Sequence, residues 1–171
     1  MPETIFKTDR KENFNSILNR WYFNFFPAYR RTGARVCFMS ADIKEIHVKL
    51  RLYWATRNYV GTVFGGSIYG AVDPIYMLQL IKLLGKDYIV WDKAASIKFL
   101  KPVKKTVYAR FIITDELLNE IKVKVAVDKK YDINLTVAFV DEQGTKYAEV
   151  MKTLYVADAA YYKAQKEARK K

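Results

Sequence analysis

The sequence is short of the residues on which several common catalytic centres depend. Its 171 residues include one cysteine, Cys37, and one histidine, His47. An intramolecular disulfide is therefore excluded, and a zinc site built from His and Cys ligands is not expected. Neither GxGxxG nor GxxxxGK[ST] occurs, which argues against a dinucleotide-dependent oxidoreductase or a P-loop ATPase. We predict no metal site and no bound cofactor.

The sequence also lacks clear targeting or membrane-spanning features. Its first residues, MPETIFKTDRKENF, are polar and charged, unlike the apolar core of a signal peptide. Residues 58–81 carry no charge except Asp73, but four glycines and Pro74 interrupt this run. A buried helix explains that composition better than a membrane span. With a single cysteine in an apolar setting, we expect a cytoplasmic protein.

Negative charge is scarce relative to positive charge. The net charge of +12 suits a nucleic acid, an anionic membrane surface or a phosphorylated ligand. The last nine residues, KAQKEARKK, contribute +4 of this excess and are typical of a solvated or frayed helix end, while the other +8 is spread over the rest of the chain. Charge alone does not choose a partner. We expect no nucleic acid, and keep nucleic-acid binding or assembly as a weaker alternative.

Residues 14–26 predict an amphipathic helix that ends near Pro27. Arg20 and Asn24 fall on its polar side. We expect the apolar side to cover an open edge or end of the core, and keep binding to a membrane surface as the alternative. The apolar side consists of Phe14, Ile17, Leu18, Trp21, Tyr22 and Phe25.

Alternating hydrophobic residues predict an antiparallel sheet of about six strands. A hairpin over 35–41 and 45–53 places His47 on the polar, exposed face. A helix over 65–84 follows, kinked at Pro74 and closed by Gly85, while 115–121 is either a helical turn or a bulged connection. The remaining strands are predicted at 88–100, 106–114, 132–140 and 146–156, with a hairpin loop at 141–144.

This order predicts an α+β domain in which the sheet wraps around one long apolar helix. With 51% hydrophobic residues, the chain is expected to form a single domain over 1–171. Its parts would be a core at about 35–156, an N-terminal helical extension at about 11–27, and a basic C-terminal tail at 158–171.

The stretch NYVGTVFGGSIYGAVD, residues 58–73, combines a glycine-rich helix start with a lone carboxylate. Gly65 and Gly66 permit close approach of backbone or ligand, and the first amides of a helix attract negative charge. Close packing onto the sheet explains the two glycines equally well. Asp73 in an apolar run suggests a buried base, or else a carboxylate that satisfies donors around the Pro74 kink.

The pattern N-x₂-G-T-V-F-G-G-x₆-D resembles the hotdog-fold acyl-CoA thioesterases, especially the phenylacetate-pathway type with N-x₂-G-x₂-H-G-G-x₆-D. Residues 96–103, SIKFLKPV, resemble the family's strand that ends in a basic-Pro-Val step. The resemblance covers about 35–156. Within the superfamily, the sequence GTVFGGSIYGAVDP is most similar to a bacterial branch known as a domain of unknown function. The matching positions are Asn58, Gly61, Gly65, Gly66 and Asp73.

The resemblance implies an acyl-CoA or another acyl thioester as substrate, and a homodimer or a tetramer of two dimers. The Gly66 amide would stabilise the oxyanion. Asp73 lies about 13 Å along the helix and would act as base or nucleophile on a thioester bound by the other subunit. Asn58 would orient water or the carbonyl, although turn hydrogen bonds are its favoured role. The implied substrate-binding residues are Phe64, Gly65, Ser67, Ile68, Tyr69, Val72, Tyr76, Lys98 and Lys101.

Within that list, Ile68, Val72 and Tyr76 would line an acyl tunnel, and Lys98 and Lys101 would hold the phosphates of coenzyme A. The sequence departs from the family at Phe64, which stands where the related enzymes carry histidine. This departure favours a second hypothesis, in which the protein is a non-catalytic module that binds acyl-CoA or lipid.

Overall fold

The computed structural model describes residues 5–168, which form one six-stranded antiparallel sheet with helices on it. The last three residues of the predicted basic tail lie outside the described range. The elements in chain order are α1 Phe14–Phe25, α2 Pro27–Arg31, β1 Ala34–Met39, β2 Glu45–Leu50, α3 Gly65–Val72, α4 Ile75–Leu84, β3 Tyr88–Phe99, β4 Val107–Ile112, α5 Asp115–Asp128, β5 Lys130–Val140, β6 Lys146–Asp158 and α6 Ala159–Ala168.

The sheet confirms the predicted strands to within a few residues. Its strand order is β1-β2-β4-β5-β6-β3, so β1 and β3 are the two edges. The hairpin β1–β2 and the hairpin β5–β6 form as predicted, the latter around the loop 141–145. The core packs α3 and α4 against the sheet through fully buried side chains, among them Val72, Leu80, Phe111, Phe139 and Leu154.

The long apolar helix is two helices rather than one. The first ends at Val72 and the second begins at Ile75, with Asp73 and Pro74 at the junction. A proline ring has no N–H to donate and clashes with the preceding turn, so the break falls where a kink was predicted. Gly85 ends the second helix with a φ of +82°, a backbone conformation that costs glycine little.

Helix α1 is oriented opposite to the prediction. Its polar side faces the protein: the side-chain amide of Asn24 donates to the carbonyl of Val36 at 2.9 Å and accepts from its N–H at 2.8 Å. The carboxylate of Glu12 accepts from the N–H of Met39 at 3.1 Å and from Arg20 at 2.9 Å. The helix therefore covers the β1 edge with hydrogen bonds, and its aromatic side is exposed.

The segment at 115–121, predicted as either a helical turn or a bulged connection, is the first part of helix α5. Thr114 caps it by accepting from the N–H of Leu117, and Asp115 and Glu116 occupy the first turn, where negative charge is favourable. The letters IKVKVAV alternate as in a strand, but Leu118, Ile121 and Val125 are the residues that are buried. Burial of one helical face therefore outweighs local strand preference.

The prediction that His47 is exposed is wrong. Its ring is fully buried and packs between the rings of Phe6 and Phe38, with centroids 5.0 and 4.7 Å away. Its Nε2 lies 2.7 Å from the carboxylate of Glu45, which Arg110 also contacts at 2.7 Å. The N-terminal segment covers this face of β2, so the alternation identified the polar face correctly but not its burial.

Candidate functional site

The start of α3 leaves backbone donors available. Phe64 is the N-cap and offers no side-chain hydrogen bond, while the N–H groups of Ser67 and Ile68 both donate to its carbonyl. The amides of Gly65 and Gly66, at the first two positions of the helix, have no acceptor one turn earlier. This geometry suits a developing negative charge next to the helix start.

Two aromatic rings pack on these glycines. A Cβ added to Gly65 would lie 2.9 Å from Cζ of Phe99, and one added to Gly66 would lie 2.3 Å from Cε1 of Phe64. A side chain at either position would therefore require the exposed ring beside it to move, which agrees with close packing as one of the two predicted reasons for the glycines. The Phe64 side chain is 58% exposed, so its ring lies at the surface beside Gly66.

A cavity of about 580 Å³ opens next to the helix start. It brings together four of the predicted site residues: Asn58, Gly65, Ile68 and Lys101. Its lining is completed by the loop before α3 and by the segment that follows β3. Lys98 is exposed on β3 and is not part of this lining.

The side chain of Asn58 is engaged in its own loop. Its amide nitrogen donates to the hydroxyl of Thr62 at 2.9 Å, and its oxygen accepts from the N–H groups of Val60 and Thr62 at 3.1 and 2.9 Å. This is the turn role that the sequence favoured. A contact with water or a thioester carbonyl stays a prediction.

Asp73 is neither deeply buried nor unpaired. Its side chain is 46% exposed, and its Oδ1 accepts from Nζ of Lys152 at 2.8 Å. Lys152 is fully buried and also lies 3.0 Å from Oδ1 of Asp92 on β3. The hydroxyl of Tyr69 is 3.5 Å from the same Nζ. Asp73 is thus one member of a charged cluster of two carboxylates and one ammonium.

Burial and ion pairing together set the pKa values of the groups in this cluster. Burial alone would lower the pKa of Lys152, but its contacts with Asp73 and Asp92 outweigh burial and raise the pKa. Burial raises the pKa of Asp92, against the effect of Lys152. Burial and the neighbouring Asp73 carboxylate raise the pKa of the Tyr69 hydroxyl. The ammonium therefore stays charged and holds the Asp73 carboxylate in a fixed orientation.

Lys152 is the residue that sequence reasoning missed, although the sequence holds a signal for it. In β6 the buried positions alternate, and a lysine occupies one position in that series. An ammonium in the apolar register of a strand needs a buried partner, because a lone charge there is costly. The series is Ala148, Val150, Lys152, Leu154 and Val156.

The predicted acyl-tunnel residues lie mostly in the core. Ile68 reaches the cavity at the helix start, but Val72 is fully buried and Tyr76 nearly so. The hydroxyl of Tyr76 donates to the carbonyl of Thr136 at 3.2 Å, and its ring packs on Phe111. Ser67 is also buried.

Within one chain, the helix start and the carboxylate belong to different cavities. Asp73 lines a second cavity of about 510 Å³ under α1 and α2, together with Phe23, Phe26 and Met77. Neither Gly65 nor Asn58 contributes to this lining. Neither of these two cavities joins the Gly66 amide to Asp73.

Comparison with known protein families assigns the chain to one of them. Residues 15–156 match the family described as a domain of unknown function, DUF4442. The chain belongs to the DUF4442 family. The match begins within α1, spans β1 to β5 and ends within β6. No curated protein sequence matches the chain.

Solved structures similar to this DUF4442 chain include several thioesterases. A protein of unknown function from Pseudomonas aeruginosa, named a probable thioesterase, has a TM-score of 0.73 at 15% identity, over 86% of this chain and 98% of its own. A thioesterase from Haemophilus influenzae has a TM-score of 0.60 at 16% identity, over 88% and 96%. Thioesterase superfamily member 2 from Mus musculus has a TM-score of 0.60 at 13% identity, over 84% and 98%.

These similarities confirm the predicted hotdog fold. At such low identity they concern the fold and not the chemistry. Among residues 5–168, no helix is long and apolar enough to cross a membrane.

Proposed function

We propose that this DUF4442 protein is a cytoplasmic acyl-CoA thioesterase that works as a homodimer. The Gly66 amide would polarise the thioester carbonyl, and Asp73 of the other subunit would activate water or attack directly. Lys101 would hold phosphates of coenzyme A at the cavity beside the helix start, with Lys98 farther along β3. The observation that carries the proposal is that α3 has an uncapped start at Gly65 and the C-cap residue Asp73, whose carboxylate pairs with Lys152 at 2.8 Å.

The position of these groups along β3 supports sharing of the site between subunits. Phe99, at the end of β3, contacts Gly65, whereas Asp92, seven residues earlier, adjoins the Asp73–Lys152 pair. An antiparallel pairing of two β3 strands centred near Ala95 and Ser96 exchanges these positions. The helix start of one subunit would then face Asp73 of its partner.

The exposure of β3 supports the same dimer. β3 is an edge strand of twelve residues, and most of its side chains are exposed. An exposed edge of this length favours pairing with another strand. Trp91 on this strand and Phe64 beside it are more than half exposed in the single chain.

Phe64 favours a second candidate, a non-catalytic module that binds acyl-CoA or lipid. Its ring packs on Gly66, at the position where the related enzymes carry a histidine that could contact substrate. An apolar ring there offers no hydrogen bond to a thioester. Under this hypothesis the cavity at the helix start binds the ligand and Asp73 serves only the Lys152 cluster.

Release of free coenzyme A, followed with a thiol reagent across acyl-CoAs of increasing chain length and one aromatic acyl-CoA, tests the proposal. We expect turnover that falls by about a hundredfold or more in Asp73→Asn, the range for loss of a general base. Asp132→Asn is the matched control, because Asp132 is a partly exposed carboxylate paired with Lys93. It should keep wild-type turnover.

The same assay decides between the two candidates. Acyl-CoA binding without any release of coenzyme A would establish the binding module, and turnover that survives Asp73→Asn would contradict the proposed role of Asp73. Phe64→Ala is a second variant for this assay, because removing the ring exposes Gly66 and leaves the Asp73–Lys152 pair unaltered.

A further inference from the structure

The outward side of α1 is apolar and uncovered. Phe14 and Tyr22 are 79% and 78% exposed, and Trp21 stacks on Phe25 with ring centroids 5.7 Å apart. The polar side of this helix is already used against β1, so the exposed aromatic side has no partner among the described residues. The uncovered side chains are Phe14, Ile17, Leu18, Trp21, Tyr22, Phe25 and Phe26.

Basic side chains stand next to this apolar side. Trp21 and Phe25 line a cavity of about 540 Å³ that also contains Arg35, Lys49 and Arg51, and none of its lining residues is acidic. Helix α2 adds the exposed Arg30 and Arg31. Residues 13–41 hold four arginines and no acidic residue at all. We call α1, α2 and this cavity the aromatic-basic face.

We propose that the aromatic-basic face binds the surface of an anionic lipid bilayer, with α1 lying in the plane of the interface. Aromatic and aliphatic side chains of an amphipathic helix enter the boundary between headgroups and acyl chains. Trp and Tyr suit this depth because their rings are apolar and their polar atoms reach water. The flanking arginines would bind lipid phosphates.

Two other occupants fit the aromatic-basic face less well. A second copy of the chain would place one set of arginines against the same set, which is repulsive. A single-stranded nucleic acid would stack on aromatic rings beside basic groups, but it would leave Ile17 and Leu18 without an apolar partner. The aliphatic residues on α1 therefore favour lipid.

The residues changed in the tests below are separate from the proposed catalytic residues, although Tyr22 and Phe26 of the aromatic-basic face also line the cavity of Asp73. Trp21, Phe25, Arg35 and Arg51 contact neither Gly66 nor Asp73 in the lining of the cavities described. The lipid proposal can therefore fail while thioester hydrolysis is confirmed, and the reverse also holds.

Co-sedimentation of the full chain with vesicles tests the proposal. We expect binding to vesicles of equal parts phosphatidylcholine and phosphatidylglycerol, and binding at least tenfold weaker to phosphatidylcholine alone. Trp21→Ser with Phe25→Ser should abolish most of the binding. Both side chains are more than half exposed, so the thermal midpoint of this variant should match wild type.

A pair of matched charge variants tests whether the site is local. Arg35→Gln with Arg51→Gln should weaken binding to the anionic vesicles about tenfold or more. Lys122→Gln with Lys124→Gln removes the same charge from the exposed side of α5 and should change affinity less than threefold. Equal losses in the two variants would overturn the proposal, because net charge alone would then explain the binding.

Fluorescence of Trp21 supplies a direct reading of insertion. In a Trp54→Phe, Trp91→Phe background, Trp21 is the sole tryptophan of the chain, and its emission should shift to shorter wavelength on anionic vesicles. No vesicle binding would overturn the proposal. If single-stranded oligonucleotide binding or self-association were instead lost in Trp21→Ser with Phe25→Ser, that result would assign the face to the other occupant.

Discussion

At the scale of single residues, two groups of charged side chains lie inside the protein. Lys152 lies between Asp73 and Asp92 without any exposure of its own side chain. Glu45, His47 and Arg110 form a second charged group on the other face of the sheet. Each group depends on contacts between strands and helices that are far apart in the chain.

We expect Lys152→Met to lower the free energy of unfolding by about 2 kcal/mol. Methionine retains the unbranched shape, but the two carboxylates then lose their shared cation. The cost should be less than the 3–5 kcal/mol typical of a fully buried pair, because Asp73 is half exposed and can turn to water. Urea unfolding measures the difference.

Lys93→Met is the matched control for that substitution. Lys93 follows Asp92 in sequence and forms an ion pair with Asp132 in which both side chains are exposed. Such pairs contribute about 0–1 kcal/mol. A loss of stability in Lys93→Met as large as in Lys152→Met would show that the buried position of Lys152 is not what matters.

The burial of His47 predicts a loss of stability in mild acid. Burial lowers the pKa of His47, against the opposing effect of Glu45. Below about pH 6.5, the ordinary histidine pKa, the unfolded chain binds a proton that the folded chain does not. The free energy of unfolding should therefore fall between pH 7 and pH 5.

Glu45 extends the same dependence to lower pH. Burial alone would raise the pKa of Glu45, but hydrogen bonds from Arg110 and His47 outweigh burial and hold this pKa below its usual value. Stability from this group is present above about pH 4.5 and is lost as the pH falls further. Because His47 is the only histidine, His47→Gln should flatten the slope between pH 7 and pH 5. An unchanged slope would contradict the assignment.

The sequence predicted these buried charged groups only in part. The sequence pointed to Asp73 as a carboxylate that needs a partner, and the structure supplies that partner from β6, 79 residues away. The partner could have been inferred from the buried register of β6. Nothing local in the sequence indicates that the N-terminal segment covers His47, because that contact joins residues about 40 apart.

At the scale of elements, α1 shows why amphipathic periodicity does not tell which side faces the core. The pattern over 14–26 correctly predicted a helix and its end at Pro27. It predicted the wrong side, because an unpaired strand edge offers backbone N–H and C=O groups. Asn24 and Glu12 satisfy those groups, as buried backbone polar atoms require, and an apolar side chain could not.

We expect Asn24→Ala to loosen α1 from β1 and to lower the free energy of unfolding by about 1–2 kcal/mol, the net value of two hydrogen bonds. Cys37 gives a local measurement, since it lies beneath this contact and burial raises its pKa to about 12. Its reaction with a thiol reagent should be slow in wild type and faster in Asn24→Ala.

Asn15→Ala is the control on the same helix. Asn15 is exposed, and alanine has the higher helix propensity, so thiol reactivity should stay at the wild-type rate. If both variants react at the same rate, the two hydrogen bonds to Val36 do not hold α1 in place.

At the scale of the whole molecule, the sequence predicted the architecture well because its strands alternate cleanly. Strand number, the two hairpins and a central helical segment interrupted at Pro74 all follow from local patterns and turn residues. The order of the strands and the pairing of β3 with β6 join segments about 60 residues apart. Local patterns predict neither feature, because both depend on contacts between segments that are distant in the sequence.

The proposed dimer predicts that a charge at the centre of β3 disrupts self-association. In Ser96→Lys, two ammonium groups would face each other across the twofold axis, and edge charges of this kind oppose strand pairing. Sedimentation velocity should show the dissociation constant rising at least tenfold, on the order of one unfavourable contact. Thr136→Lys adds the same charge on the inner strand β5 and should leave association unchanged.

The two edges of the sheet are therefore unequal, and this difference sets a limit on growth. Asn24 and Glu12 occupy backbone groups of β1 at Val36 and Met39, while β3 has no such cover among the described residues. If two β3 strands pair, each subunit presents only a β1 edge to further chains. In such a dimer the continuous sheet ends at a covered β1 edge on each side. Further strands then cannot add to it, which prevents the unlimited strand pairing that leads to fibres.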